Sequence, residues 1–489
     1  MSKRPHWATE ILGADLRSLA VLRIWLGFML FWDLVLRSRD LVAFYTDYGV
    51  LPRQALLDLG WNPAYVSIHM MSGHWFVMLL LFVLGAVASL AMMVGWQTRW
   101  STLVAWFFLI SLQNRNPLVL NGGDILIRVI LFWGLFLPWG ARWSLDARAN
   151  PQWRELPNHL YSAATVAYLA QICVVYLFAA ILKTGPHWHQ DGTAVYYALS
   201  LDQFTSWVGR FVYQFPELCK LLTHATWWFE ALAPLMLVFP FWNGPIRTLG
   251  VFGISMMHFG FGACMHIGVF SPIGMGMVLG LLPAWFWERL GERRWFDLQG
   301  LADRLPPSPL RSELPPNYRL GLVVSALVTL LTFYMILWNI GTTRGKYRVP
   351  ARLEWLGIAV KLDQMWNMFA PYPLIEDGWY VVDANLRNGT KVDLLTGRPV
   401  TFEKPEWVSA TYKNERWRKY MMNLWMRDYS AYRLYFGRFL CRSWNDKHPD
   451  TEDVTTFELS YMLEKTLPDY QKPEVEKVVI WSHDCFKRD

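Results

Sequence analysis

Cysteine is scarce. Cys173, Cys219, Cys264, Cys441 and Cys485 are scattered over 489 positions, and no two stand in a C-x-x-C spacing. This excludes the paired thiolates of a structural zinc site, and no metal is expected. Charge is scarce too, at 17% of residues. The net charge of +7 is carried by arginines gathered in loops between apolar runs, so no nucleic-acid partner is expected. No small-residue cleavage site follows the first apolar run, so no cleavable signal peptide is expected. There is no inverted repeat of the transporter kind and no long low-complexity tract. Apolar surface, by contrast, is abundant. The chain is 54% hydrophobic and 16% aromatic, with 29 tryptophans. Indole rings favour the membrane–water interface, so the composition points to a polytopic α-helical membrane protein in contact with lipid.

Apolar runs near 17–36, 75–95, 99–113, 124–140, 162–183, 225–242, 246–265, 267–287 and 319–340 predict about nine transmembrane helices. Tight turns at 95–99 and 242–246 make two antiparallel hairpins. Arginines are denser in alternate loops. One set holds Arg99, then Arg142, Arg148 and Arg154, then Arg247, then Arg289, Arg293, Arg294, Arg304 and Arg311. The positive-inside rule places these loops in the cytoplasm, with the N-terminus. An odd number of spans then places residues 341–489 outside. Prolines in 288–318 predict a stiff cytoplasmic linker. The predicted division is a membrane domain, 1–340, and a small α+β extramembrane domain, 341–489. In the latter, Trp379–Leu386 and Thr390–Leu395 flank Asn388-Gly389 as a hairpin. Glu415–Tyr429 and Ala431–Trp444 read as amphipathic helices, and Phe457–Leu467 and Val475–Trp481 as strands. Outside the cytoplasm Cys441 and Cys485 can pair.

The chemical candidates are polar groups set in apolar runs. Lys183 ends a helix, just before Gly185-Pro186. Two readings stand: the ammonium snorkels to the interface, or a partly desolvated amine acts as a base. Tyr176 lies two turns earlier on the same face. The first span holds Arg23 and Asp33, with Arg37 one turn beyond Asp33 as its expected partner. Asn121-Gly122-Gly123-Asp124 opens the fourth span. Asp124 suits a helix N-terminus as a cap and is placed to pair with Arg128; the alternative is a polar floor facing Lys183. His258 and His266 bracket the end of the seventh span, where glycine and methionine density suits either a groove for a flat apolar ligand or close helix packing. Glu230 is either a relay group or structural. His187-Trp188-His189 is a weak metal signal.

These stretches together resemble the vitamin K-dependent γ-carboxylase family, known in bacteria as the horizontally transferred transmembrane domain (HTTM) family. LAVLRIWLGFMLFWDL is similar to that family's first-span signature, and YLFAAILKTGPHW to its catalytic-lysine segment. VFSPIGM is similar to a stretch lining its quinol pocket, and Asp363 to Phe369 (DQMWNMF) to a segment that closes over it. The resemblance implies that Lys183 deprotonates a reduced naphthoquinone, vitamin K or menaquinone. O2 then converts it to the epoxide, and the strong base formed drives carboxylation of glutamyl residues with CO2. It implies quinol binding by Tyr176, Phe270, Ser271, Trp366, Met368 and Phe369. Asn121, Asp124, Arg128, Arg23, His258 and His266 would form a supporting polar site. It implies a glutamate-containing protein or peptide as substrate, and a bacterial inner membrane with residues 341–489 in the periplasm. The sequence departs from the animal enzymes in two places. Leu182-Lys183 replaces two successive lysines, and Asn121-Gly122-Gly123-Asp124 replaces an asparagine–histidine pair. A quinol-dependent oxygenase without protein carboxylation is therefore the alternative enzyme, and a transporter or membrane scaffold the non-enzymatic one.

Overall fold

Asp15 turns its carboxylate onto the backbone N–H of Arg17 and so caps the first long helix, α1 (Leu16–Ser38). The computed structural model describes residues 7–291, 320–344 and 347–486. Lys3, Arg4, Arg293, Arg294, Arg304 and Arg311, and with them most of the expected linker at 288–318, lie outside the described residues. The bundle continues with α2 (Trp75–Val94), α3 (Thr98–Arg115), α4 (Gly122–Gly134) and α5 (Ala163–Leu182). Next come α6 (Pro216–Val238), α7 (Asn243–Cys264), α8 (Phe270–Met277), α9 (Ala284–Gly291) and α10 (Leu322–Arg344).

The nine expected runs are helical, but they do not yield nine spans. Among the described residues five helices, α1, α2, α5, α6 and α10, are long and apolar enough to cross a membrane. There are six if α8 and α9, bent by 88°, count as one. The others fall short for physical reasons. Helix α4 has 13 residues, about 20 Å at ~1.5 Å per residue, against a hydrocarbon core of ~30 Å. Helix α3 ends in buried Gln113, Asn114 and Arg115, and α7 carries Arg247 and His258.

Helix α2 shows why the bundle belongs in lipid. Met78, Phe82, Gly85, Ser89 and Met92 recur three or four residues apart and are buried. Leu79, Leu80, Val83, Leu84 and Val87 face outward and are exposed. Apolar residues on both faces suit a helix with protein on one side and acyl chains on the other. Gly95, at φ 70°, ends the helix and turns the chain into α3, as the expected hairpin requires.

After the bundle, β1 (Glu376–Leu386), β2 (Lys391–Asp393), β3 (Val454–Lys465) and β4 (Val475–Asp484) form an antiparallel sheet in the order β2-β1-β3-β4. Val382 pairs with Leu459, and Gly389 takes φ 82° in the β1–β2 turn. Helices α11 (Glu415–Trp425) and α12 (Arg433–Asn445) lie between the second and third strands. Cys441 and Cys485 are joined in a disulfide. One sheet face, with Tyr380, Val382 and Ala384, shares a core with Tyr420, Leu424 and Phe436 and also with Phe44, Leu51 and Leu118 of the bundle. This shared core fixes the sheet and its helices against one end of the bundle.

Candidate functional site

Lys183 leaves helical geometry as the cap of α5, at φ −78° and ψ 72°. Its side chain turns inward and is 3% exposed. Nζ donates to Glu230 Oε2 at 2.7 Å and to the Ala179 carbonyl at 3.3 Å. The Trp188 ring lies over the ammonium, 5.0 Å from Nζ to the centroid. The snorkelling reading fails here, because the amine is spent on a buried partner. That partner comes from the middle of α6, and Glu230 is itself buried.

On the same face of α5, the Tyr176 hydroxyl is 2.9 Å from His258 Nε2 of α7. Glu230 is close enough to act on Tyr176 electrostatically, so Lys183, Glu230, Tyr176 and His258 form one buried polar array. The His258 ring packs against Phe270, centroids 5.2 Å apart. His258 Nδ1 and Ser271 Oγ are buried with no hydrogen-bond partner among the described residues. A β-carbon on Gly122 would come within 3.0 Å of Met368 Sδ and 3.1 Å of the Phe270 ring. Glycine at 122 therefore lets both side chains close on the N-terminus of α4.

The segment 363–371 runs beside this array as a strap, from Gln171 of α5 to the turn after Lys183. The Phe369 and Pro371 carbonyls accept from Trp188 Nε1, at 3.0 Å, and from the Gly185 N–H, at 2.9 Å. Trp366 is buried and donates to Gln364, which bonds Gln171 of α5. The strap thus touches the lysine segment, α4 and α5. Of the expected quinol residues, Tyr176, Phe270 and Ser271 cluster around His258, and Met368 joins Phe270 at Gly122. Trp366 and Phe369 act through the strap.

The other polar candidates separate. Asn121 and Asp124 cap α4 reciprocally, with the Asn121 N–H 2.8 Å from Asp124 Oδ2. The expected Asp124–Arg128 pair does not form. Asp124 sits in the first turn and is taken by Arg37 and Arg416. Arg128, one turn deeper, reaches the strap and pairs with Asp363 at 3.1 Å. The expected Asp33–Arg37 pair does form, at 2.7 Å, and Arg416 adds a bond to Asp33 at 3.0 Å. Arg23 is not in the site. It caps the 139–143 turn through the Trp139 and Trp143 carbonyls, ten residues before Asp33 and so ~15 Å away along the helix. His266 is exposed and lines a separate cavity. His187 turns to Thr193 and His189 to the Lys183 carbonyl. Among the described residues no three His, Cys, Asp or Glu side chains gather as a metal site.

Sequence reasoning missed Arg416 and Glu415, and it met Trp188 only inside the family-like segment and the weak His187-Trp188-His189 signal. The alternation of acid, base and aromatic in Glu415-Arg416-Trp417-Arg418 was a signal that this helix does more than lie on a surface.

Residues 13–285 match the HTTM domain. The chain belongs to the HTTM family. Its matched part holds the whole polar array, while the strap and Arg416 lie beyond it. The HTTM domain is found in vitamin K-dependent carboxylase-related proteins. The chain is also similar to the sporulation-delaying protein SdpB of Bacillus subtilis (strain 168), with 25% identity over 189 residues, 37% of this chain and 54% of the relative. It therefore spans about half the length of that curated relative. No solved structure matches the chain.

Proposed function

We propose that this HTTM protein is a membrane enzyme of the vitamin K-dependent γ-carboxylase type, with Lys183 as the base for a reduced naphthoquinone, vitamin K or menaquinone. The observation that carries the reading is the buried Lys183–Glu230 pair beside Tyr176 and His258. The fit is supported by two orphaned polar atoms, His258 Nδ1 and Ser271 Oγ, set among Phe270, Met368 and glycines. Such a site offers an aromatic wall for a flat ring and polar atoms for its hydroxyls. When bound, the quinol supplies the O2 chemistry whose product base is strong enough to take a glutamyl γ-proton before CO2 capture. The protein's part is to move one proton. Transfer of the Lys183 proton to Glu230 leaves a neutral amine, which accepts the quinol hydroxyl proton. Trp188 and the strap exclude water while it does so. A quinol arrives from the bilayer, and a glutamyl peptide from water on the strap side.

The test uses the purified full chain with reduced menaquinone or vitamin K, following epoxide and bicarbonate-derived label separately. Epoxide with label in a glutamyl peptide supports the whole reading. Epoxide alone supports the oxygenase without carboxylation. Neither, in folded protein supplied with both quinols, refutes it.

A further inference from the structure

A cavity of about 530 Å3 lies beside the site, between the exit of α7 and the segment leading into α11. It is separate from the lysine array, and no step proposed above uses it. Arg418 lines it and is 5% exposed. Its guanidinium stacks on Phe204, 3.9 Å from the ring centroid, and Nε and Nη1 find no hydrogen-bond partner among the described residues. Its neighbour Glu415 stands 3.5 Å away and already accepts from Asn121 at 2.8 Å. Asp377 acts on it from farther off and is engaged by Gln203 and the Asp202 N–H. Arg37 and Arg416 are matched by Asp33 and Asp124 and do not compete for a ligand.

We infer that this cavity binds a small carboxylate of about dipeptide size from the aqueous side, with Arg418 as the anion-recognising residue. Arg418 shares its one neighbouring carboxylate, Glu415, with Asn121, so a ligand carboxylate would give the guanidinium a charge-assisted acceptor of its own. A phosphate dianion fits worse, because one arginine faces it and Glu415 repels it. Trp207, Trp407 and Tyr412 supply walls for an apolar body. Asn414 caps α11 and donates to Asp40, and Gln203 donates to Asp377, so both hold the lining in place. The volume lies within the usual range for small-molecule sites. The inference stands whether or not Lys183 acts on a quinol.

Calorimetry on the detergent-purified full chain tests it, with N-acetylphenylalanine against its isosteric amide, N-acetylphenylalaninamide. The acid is expected to bind saturably and the amide at least tenfold more weakly. Arg418→Gln should remove the difference between them. Because a buried arginine can matter for folding, Ala410→Trp serves as a second variant. Ala410 is exposed on the cavity wall, so the indole should block the cavity and leave the fold intact. Equal binding of acid and amide overturns the inference. So does unchanged affinity in folded Ala410→Trp, or no heat from the wild type at millimolar ligand.

Discussion

Lys183 and Glu230 are buried together because neither can be buried alone. A lone charge in this environment would be strongly disfavoured, and each supplies the other's missing partner. The pair makes two substitutions informative. Lys183→Arg should keep the charge and the contact to Glu230 but cannot accept a proton. Epoxide formation should fall ~100–10,000-fold, the usual worth of a general base, with quinol binding largely retained. Glu230→Gln removes the acceptor for the lysine proton and should also slow turnover. Near-normal oxygenation by Lys183→Arg would reduce the lysine to a structural cation. The sequence made Lys183 and Tyr176 legible, since a cation and a phenol two turns apart in an apolar helix stand out. Glu230 and His258 were singled out as well, but their pairing with Lys183 and Tyr176 was not legible, because they come from other helices and helix packing sets who meets whom. A second residue-scale prediction concerns Asp377, at the start of β1. Burial, with Asp202 nearby, pushes its carboxyl up to about 7, against bonds from Gly378, Gln203 and Asp202. The native state therefore holds a proton that the unfolded chain releases near ~3.9. Its contribution to stability is present below that value and is lost as pH rises to about 7. Melting of wild type and Asp377→Asn across this window should diverge, the variant losing less stability as pH rises. Parallel curves would contradict the assignment.

At the scale of elements, α11 is the piece that sequence periodicity read correctly and understood least. Its position and amphipathic pattern were legible. That one of its polar residues enters the bundle was not, because Arg416 looks like any solvent-facing arginine until Asp33 and Asp124 are placed opposite it. Those two carboxylates come from α1 and α4, and Arg37 alone would leave them under-matched. Removing one partner of a buried network costs ~3–5 kcal/mol, because the others stay buried without their counter-charge. Arg416→Met should lower the melting temperature in detergent and speed amide exchange first in α11, ahead of the sheet core. Arg416→Lys should restore little, since one ammonium cannot reach both carboxylates in the geometry of a guanidinium. If Arg416→Met melts like wild type, the network does not hold α11 to the bundle. The strap was legible only by resemblance. Nothing in the composition of 363–369 distinguishes it from an ordinary loop, and its role comes from the bonds of its backbone carbonyls to Trp188 and Gly185.

For the whole molecule, counting apolar runs gave nine spans where the described residues hold five or six helices long and apolar enough, because a run reports apolarity and not whether protein or lipid surrounds it. Helix α4 is apolar since it is buried in the bundle, short as it is. Five spans and six give opposite answers by parity, so sidedness rests on the two ends of α1. At one end of α1, Ser18 donates to the Leu282 carbonyl and accepts from Trp287, and Arg23 meets the 139–143 turn. At the other end, Arg37 shares Asp124 with Arg416 of α11. With 23 residues, α1 is about 35 Å long at ~1.5 Å per residue, so these two groups of residues lie at opposite ends of the bundle. The arginine-rich turns at 142–154 belong to the first end, and the sheet with its disulfide to the second. The positive-inside rule and the oxidising compartment that a disulfide needs point the same way, so the prediction is a cytoplasmic 142–154 turn and an extracytoplasmic sheet. In a background lacking Cys173, Cys219 and Cys264, an impermeant maleimide should label Lys391→Cys in intact spheroplasts. It should label Gln152→Cys only after permeabilisation, as both positions are exposed in the fold. The reverse pattern would put strap, carboxylate cavity and lysine array on the cytoplasmic side. It would also leave the Cys441–Cys485 bond in a reducing compartment, so the labelling tests the topology and the placement of the site in one measurement.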